Sequence, residues 1–185
     1  MKGDARVRYT KKVLRESLIQ LMKTKSIHKI SVKEICELAE INRATFYTHY
    51  SSPYDLLEQI ENELFEQMST KVIKKLKQDT FPEMTKLAFD IIAENIELCR
   101  VLFSENGNKR FLDRILQVAR DTTISSWKAD YPNATKNQMD YLYAFVISGA
   151  VAVIEHWVRI GMRDTPVDLV ENASRLTQIW LKKAR

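Results

Sequence analysis

The side chains whose types and spacing are most indicative of a function form one short run, residues 42–50, which reads Asn-Arg-Ala-Thr-Phe-Tyr-Thr-His-Tyr. If this run is a helix with Phe46 toward the interior, Asn42 and Tyr50 lie within about 40° of it at 100° per residue. The opposite face then carries small or polar side chains, Ala44, Thr45, Tyr47 and Thr48. Such a face can lie against base edges and phosphates without steric conflict. The chemistry that it favours is recognition of a nucleic acid.

A second helix is needed to hold this run in place, and the residues before it predict one. Residues 31–34, Ser-Val-Lys-Glu, have the form of a capping box, in which the hydroxyl and the carboxylate each satisfy a backbone N–H at the helix start. We expect that helix to end near Ala39, and after a turn of two or three residues Asn42 caps the next helix. This is the spacing of a helix-turn-helix, in which the first helix supports the second and the second enters the DNA major groove.

The positive charge of the chain is concentrated on the segment that contains these two helices. Residues 1–50 hold 11 Lys and Arg against 5 Asp and Glu, a net charge of +6. Residues 51–185 hold 18 against 19, a net charge of −1. This asymmetry indicates a basic head that meets a polyanion and a near-neutral body with a different task. A membrane surface would attract the same charge, so charge alone leaves both partners open.

The rest of the chain is predicted to be helical. Glycine and proline are scarce, four of each in 185 residues, which disfavours sheets with many turns. Capping-box spacing recurs at Ser52/Asp55, Thr80/Glu83, Thr135/Gln138 and Thr165/Asp168, and Gly107 and Gly161 are natural helix stops. We expect an all-α fold of about nine helices, at about residues 8–24, 31–39, 42–50, 53–77, 81–95, 97–105, 108–129, 135–160 and 166–183.

Residues 141–154 are apolar on nearly every side of the expected helix, and the stretch includes Ser148 and Gly149. At fourteen residues it is too short to span a bilayer. Such a helix must be buried on all sides, either as a central core helix or at the seam of a homodimer. The small residues favour the seam because they let a partner helix approach closely. The residues expected at this dimer interface are Tyr141, Phe145, Ser148, Gly149, Ala152, His156 and Trp157.

The sequence carries no recognised catalytic motif. With glycines only at positions 3, 107, 149 and 161, neither a Walker-type loop nor a Rossmann glycine pattern can form. Three histidines do not favour a multi-histidine metal site, so no metal and no cofactor are expected. Cys36 and Cys99 lie far apart and the first residues form no apolar signal segment, so we expect a cytoplasmic protein with reduced thiols. We expect a protein that is not an enzyme; an enzyme and a helical interaction module are the rival classes.

Residues 7–67 resemble the TetR family of bacterial transcriptional repressors. The resemblance rests on Ile-Ser-Val-Lys-Glu-Ile-Cys at 30–36, Ala39, the run at 41–50 that begins with Ile41, and the leucine pair at 56–57. It implies a helix-turn-helix DNA-binding domain at 7–67 with its motif at 30–49, and a helical regulatory and dimerisation domain at 68–185. It also implies a dimeric transcriptional regulator, a repressor released from double-stranded operator DNA by a small-molecule effector bound in the C-terminal domain. The long helix 53–77 would join the two domains as a lever.

The same resemblance implies which residues meet DNA. The DNA backbone would be contacted by Ser31, Lys33, Asn42, Tyr47 and His49. Base edges would be faced by Arg43, Ala44, Thr45 and Thr48. Arginine can pair bidentately with guanine, and the methyl group of alanine or threonine can contact thymine. His49 is equally compatible with a structural role on the flank of the inward face.

Two positions depart from the family pattern. Glu40 stands in the turn where the family usually has glycine, so the turn must avoid a positive φ or tolerate strain. Pro53 replaces a phosphate-contacting lysine near the start of the fourth helix, which leaves Tyr54 as the nearest donor. The second departure puts one backbone contact in doubt.

The sequence contains no specific pattern that identifies an effector pocket. The candidate lining residues are aromatic or aliphatic side chains on helices of the body, and residues of this kind are more often ordinary core than pocket: Phe81, Met84, Phe89, Phe103, Phe111, Ile115, Trp127 and Tyr143. No charged group among them dictates the charge of an effector. A mostly apolar small molecule is expected if there is one.

Overall fold

The structure is a computed structural model that describes residues 2–71, 81–104, 109–130 and 132–162. Every element within these ranges is helical, which confirms the all-α fold class. The helices are α1 (Lys2–Met22), a 3₁₀ helix (Ile27–Lys29), α2 (Val32–Ala39), α3 (Arg43–Tyr47), α4 (Pro53–Lys71), α5 (Phe81–Glu94), α6 (Ile96–Leu102), α7 (Lys109–Asp130) and α8 (Lys136–Arg159). The helix expected at 166–183, the later part of 53–77 and the caps at Thr80 and Thr165 lie outside the described residues.

The chain divides into two compact units. The first comprises Met1–Phe65 together with Glu97–Lys109, and the second comprises Glu66–Ile96 and Arg110–Arg185. The division expected from the sequence, a DNA-binding domain at 7–67 and a regulatory domain at 68–185, stays a prediction. The segment 97–109, which contains α6, belongs to the first unit although the sequence placed it in the regulatory domain. α4 begins in the first unit and ends in the second.

The core of the first unit is built from apolar stripes on its helices. Leu14, Leu18 and Met22 of α1 are fully buried, as are Ile35 of α2 and Leu56 of α4. Their spacing along α1 is the period that predicts one buried helix face. Ion pairs tie α1 and the residue after it to later parts of the same unit: Arg15 to Glu63 at 2.5 Å and Lys23 to Glu97 at 2.5 Å.

The turn after α2 contains a strained residue. Glu40 has φ of +55° and ψ of +36°, the left-handed conformation that the sequence left open at this position. The Ile41 N–H donates to the Cys36 carbonyl at 3.0 Å and the Glu40 N–H donates to the Glu37 carbonyl at 3.4 Å. These two bonds form a Schellman motif, which ends α2 and turns the chain toward α3. The turn therefore tolerates strain at Glu40 instead of avoiding a positive φ.

Replacing Glu40 with glycine should stabilise the first unit. A left-handed conformation costs a residue with a Cβ about 1–2 kcal/mol, while glycine loses up to about 1 kcal/mol through its greater freedom in the unfolded chain. We expect Glu40→Gly to raise the free energy of unfolding by up to about 1 kcal/mol in urea denaturation. Glu40→Ala, which keeps the Cβ, is the matched control and should show no such gain. Equal stability of the two variants would contradict the strained turn.

The second unit has its own core. The rings of Phe89 and Trp157 pack edge to face with centroids 4.9 Å apart, and Met139 and Ile91 are buried. The Tyr143 hydroxyl donates to the Leu116 carbonyl at 2.7 Å, which joins α8 to α7. Burial raises the pKa of this tyrosine to about 12. The predicted stop at Gly161 is confirmed, since α8 ends at Arg159 and Gly161 has φ of +83°.

The helix that contains the apolar stretch is longer than the stretch itself. α8 spans 24 residues and opens with the predicted capping box, in which Thr135 and Gln138 bond reciprocally. By length and mean hydropathy alone, this helix could cross a membrane, so the fourteen-residue length of the apolar stretch does not exclude a membrane span. A core or interface helix of a soluble protein passes the same test, and α8 has one buried and one exposed face.

Candidate nucleic-acid interface

The start of α3 is fixed by Asn42. Its side-chain oxygen accepts a hydrogen bond from the Ala44 N–H at 2.8 Å, the bond of an N-cap residue. Because the oxygen is used in the cap, the amide NH₂ group is the part of this exposed side chain that can donate to a phosphate. Asn42 thus does not point inward as the helical wheel placed it, since it stands just before the helix.

The two faces of α3 separate as the sequence predicts. Phe46 is fully buried and its ring lies 5.7 Å from that of the buried Tyr50. Three base-facing candidates and one phosphate candidate are exposed: Arg43, Ala44, Thr48 and Tyr47. Tyr47 is 59% exposed, although its ring also touches the edge of Phe46, with the centroids 5.6 Å apart. Thr45 and His49 are half-buried, so they lie at the border of the exposed face.

Hydrogen bonding leaves Thr48 with acceptor capacity. Its hydroxyl donates to the Thr45 carbonyl at 2.7 Å, one turn back along the chain. The hydroxyl proton is therefore used in a local hydrogen bond, while the hydroxyl oxygen of this exposed residue can still accept one. In this conformation Thr48 would accept from a base rather than donate to one.

The start of α2 is held by a full capping box. The Glu34 N–H donates to the Ser31 hydroxyl oxygen at 3.3 Å, and the Ser31 N–H donates to the Glu34 carboxylate at 2.9 Å. The Ser31 hydroxyl also donates to that carboxylate at 2.8 Å. A contact from Ser31 to DNA would therefore compete with its cap. Lys33 is exposed and lies 3.7 Å from Glu37 on the next turn.

Lys25 stabilises the ionised carboxylate of Glu34 in this capping box. Its ammonium group lies 2.5 Å from the Glu34 carboxylate. The pKa of Glu34 falls to about 2 because Lys25 donates to the carboxylate, with further donation from the Ser31 N–H and hydroxyl. The stabilisation from this lowered pKa is complete above the ordinary value of 4.5 and is lost as the pH falls toward 2. Lys25 thus supports the helix-turn-helix internally, a role that sequence reasoning did not assign.

Two further features complete the geometry of this surface. Tyr54, the donor expected in place of the family lysine, is exposed in the first turn of α4. Arg43 makes no ion pair with any residue that the structure describes. The arrangement presents one arginine, one amide, hydroxyls and two methyl groups on a short exposed helix. It can donate and accept hydrogen bonds at base edges and phosphates.

The predicted seam residues of α8 fall mainly on one exposed stripe. Six of the seven are exposed, Tyr141 and Phe145 by 75% and 79%. At 100° per residue these six lie within an arc of about 100°; they are Tyr141, Phe145, Ser148, Gly149, Ala152 and His156. Trp157 must be corrected, because it is buried against Phe89 in its own protomer and lies about 130° from the centre of that arc.

The candidate pocket residues are only partly brought together. Those of the second unit that are buried are Phe89, Phe111 and Tyr143, while Ile115 and Trp127 are half-buried. The rings of Trp127 and Tyr143 lie 6.5 Å apart. Phe103 belongs to the first unit, and the side chains of Phe81 and Met84 lie outside what the structure describes. These contacts are those of a packed core, and an effector pocket stays a prediction.

Comparison with known families identifies both parts of the sequence. Residues 15–60 match the family described as bacterial regulatory proteins of the tetR family. Residues 79–178, more than half of the chain, match a transcriptional regulator C-terminal region of the same family. The chain belongs to the TetR family. The helix-turn-helix described above is the part of the molecule that the first match covers.

Relatives and solved structures agree with this membership. A Bacillus subtilis (strain 168) protein, described as an uncharacterized HTH-type transcriptional regulator, YxbF, is 23% identical over 83% of this chain. The chain spans 40% of the length of that relative. A TetR regulator structure from Streptococcus agalactiae 2603V is 22% identical, covers 98% of each chain and has a TM-score of 0.65. FadR of Bacillus halodurans, described as a fatty acid degradation regulator, is 14% identical, with 91% of this chain and 94% of that chain covered and a TM-score of 0.67. At these identities the structures show the shared fold.

Proposed function

We propose that this TetR-family chain is a dimeric, sequence-specific DNA-binding transcriptional regulator, a repressor released by a small-molecule effector. The observation that carries the proposal is α3: a capped helix whose buried face anchors it by Phe46 and whose opposite face presents Arg43, Ala44 and Thr48 to solvent. A helix of this kind can enter the major groove and read base edges. The DNA-contact set is Ser31, Lys33, Asn42, Arg43, Ala44, Thr45, Tyr47, Thr48, His49 and Tyr54.

Dimerisation would let the protein recognise a longer DNA sequence than one protomer can. One short helix reads only a few base pairs, whereas two copies related by a dyad read half-sites about 34 Å apart or a multiple of that distance. The exposed stripe of α8, led by Tyr141 and Phe145, supplies an apolar surface suited to a symmetric interface. A Cβ built on Gly149 meets no atom within 4 Å in the protomer. The open space there would admit a partner helix.

Release by an effector requires that the ligand bind two arrangements of the protein with different affinity. The body candidates in the second unit, Phe89, Phe111, Ile115, Trp127 and Tyr143, favour a mostly apolar ligand. α4 belongs to both units and is the element through which such a difference would reach α3. One structural neighbour is named an activator of a dihydroxyacetone kinase operon, DhaS, 19% identical with a TM-score of 0.64. A promoter-reporter assay therefore has to separate repression from activation.

Catalysis, localisation and cofactor use are inferred from the family. TetR-family regulators are generally non-enzymatic DNA-binding proteins of the cytoplasm. We infer that this chain is likewise cytoplasmic and not an enzyme, and that it uses no cofactor and binds no membrane. Within the described residues, no group of three or more His, Cys, Asp or Glu could hold a metal ion. The partners proposed are operator DNA, a second copy of the chain and an apolar effector.

The proposal is tested by selecting bound fragments from genomic DNA with the purified full chain. We expect enrichment of one motif with two inverted half-sites, whose centres are separated by about one helical turn of DNA or a multiple of it. Enrichment of unrelated sequences, or of none, would contradict the proposal. A helical interaction module would give that result.

Arg43→Ala should relax sequence preference at one base position. Removing a bidentate arginine–guanine contact costs about 1–3 kcal/mol at the matched base pair. Lys33→Ala is the matched control, since removal of a phosphate contact should weaken all sequences about equally. Competition binding with operators substituted at each position distinguishes the two. If Arg43→Ala weakened every sequence uniformly, Arg43 would be a phosphate contact instead.

A further inference from the structure

The excess positive charge of the head does not lie on the helix that reads DNA. Of the net charge of +6 in residues 1–50, residues 2–12 hold +4, with one aspartate, Asp4, among five cations: Lys2, Arg6, Arg8, Lys11 and Lys12. α3 contributes a single cation, Arg43. We call residues 2–12, the leading turns of α1, the basic arm.

The middle of the basic arm is exposed to solvent. Residues 5–9 are all exposed, including the apolar Val7 and Tyr9, the latter by 64%. Burial on α1 begins at Thr10 and continues at Leu14. A helical segment that is exposed all round gains no tertiary packing, and short helices are marginal in water without it. Residues 5–9 of the arm are thus accessible to a partner on every side.

Part of the positive charge of the arm is unpaired within the described residues, in contrast to that of three later cations in the head. Three later cations are each 2.5 Å from a carboxylate within the first unit, namely Arg15, Lys23 and Lys25. Within the described residues Arg6 and Lys11 make no ion pair. Lys12 lies 3.9 Å from Glu16 with both side chains largely exposed, and such a surface pair contributes little.

The arm belongs to the same compact unit as the reading helix, in which α1 packs against α2 and α2 packs against α3. Burial raises the pKa of Tyr50, which follows α3, and the nearby carboxylates of Glu63 and Asp55 add to the rise while the Arg15 guanidinium opposes it. Arg15 is thus within electrostatic range of Tyr50, the residue that follows α3 by three positions. Residues 2–12 precede it along the same helix and extend over about 15 Å at 1.5 Å per residue. That length matches several phosphates of a duplex strand.

We propose that the basic arm binds the phosphates of duplex DNA beyond the bases that α3 reads. The arm adds affinity and salt dependence but no sequence information, because phosphate contacts position a protein without reading bases. The partner is duplex DNA because the same compact unit also carries the helix proposed to read DNA, and the net charge of the arm is opposite to that of the phosphates. This inference rests on the proposed function, and its test separates the two.

The test compares the full wild-type chain with the variant Arg6→Gln/Lys11→Gln/Lys12→Gln on the selected operator. We expect the slope of log K against log salt to become shallower by about 0.9 for each phosphate that the variant no longer neutralises, with at least tenfold weaker binding near 0.2 M salt. The preference for operator over scrambled DNA should stay unchanged. Lys86→Gln/Lys128→Gln/Lys136→Gln removes three exposed cations of the second unit and is the matched control, with no change of slope expected.

Each other outcome is decisive. An unchanged slope and affinity in the arm variant, with wild-type operator preference intact, would overturn the inference and leave the proposed function standing. No operator preference in the wild type would overturn the proposed function itself. If the arm variant kept its DNA slope but no longer bound phosphatidylserine vesicles that the wild type binds, the arm would face a lipid surface and the inference would be wrong. Circular dichroism on each variant verifies that the helices are retained.

Discussion

Replacing Phe145 with glutamate is expected to convert the protein to a monomer and to weaken operator binding at least a thousandfold. Phe145 is 79% exposed in the protomer, beside Tyr141 on the same stripe of α8. In a symmetric dimer every substitution appears twice at one interface, and an uncompensated buried charge costs about 3–5 kcal/mol. Since about 1.4 kcal/mol is a tenfold change, the dimer dissociation constant rises by three orders of magnitude or more. Sedimentation velocity and operator titration measure the two effects.

Matched variants separate loss of the interface from loss of the fold. Gln117→Glu adds the same charge to an exposed site of α7 and should leave the protein dimeric. Gly149→Leu provides an independent check, because the space around Gly149 is open in the protomer. Leucine should strengthen α8 by about 1 kcal/mol as a better helix former, yet it should weaken the dimer by blocking the approach of a partner helix. A dimeric Phe145→Glu variant would contradict the assignment of this stripe.

Phe46→Ala is expected to cost about 3–5 kcal/mol of stability, because a fully buried aromatic side chain leaves a cavity that the surroundings fill only in part. That loss is a large fraction of the 5–15 kcal/mol available to a typical domain. Phe46 packs against Tyr50 behind the reading face, so operator binding should be lost together with the fold of the first unit. Denaturant titration followed by circular dichroism measures the loss.

The neighbouring aromatic residue is the control for this prediction. Tyr47 is 59% exposed, and substitutions at such positions usually change stability by less than about 0.5 kcal/mol. Tyr47→Ala should therefore keep the midpoint of unfolding while it weakens DNA binding. If both variants lost equal stability, the division of α3 into a buried and an exposed face would be wrong.

The helix-turn-helix was predictable from sequence because its determinants are local. Capping residues such as Ser31 and Asn42 mark helix starts by their own hydrogen bonds, and the period of Phe46 and Tyr50 defines the inward face. The conformation at Glu40 was not predictable in the same way. Its positive φ belongs to the Schellman motif that ends α2, and a glutamate gives no local signal for that conformation.

The body was less predictable because its determinants are contacts between distant residues. The apolar run of α8 has no clear phase in sequence, so Trp157 was placed at the seam, whereas packing against Phe89 buries it inside the protomer. α6 was placed with the body because it follows α5 along the chain. Contacts such as that of Lys23 with Glu97 join it to the first unit, and no periodicity in either segment could indicate that pair.

The central claim is that α3 of this TetR-family chain reads duplex DNA by sequence. The most direct measurement is the affinity for the selected operator and for a scrambled duplex of equal length across a fourfold range of salt. Neutralisation of at least roughly six phosphates predicts about a 10³-fold fall in affinity over that range, and at moderate salt the operator should bind at least about 10³-fold more tightly than the scrambled duplex. A flat salt dependence, or equal affinity for the two duplexes, would contradict the claim.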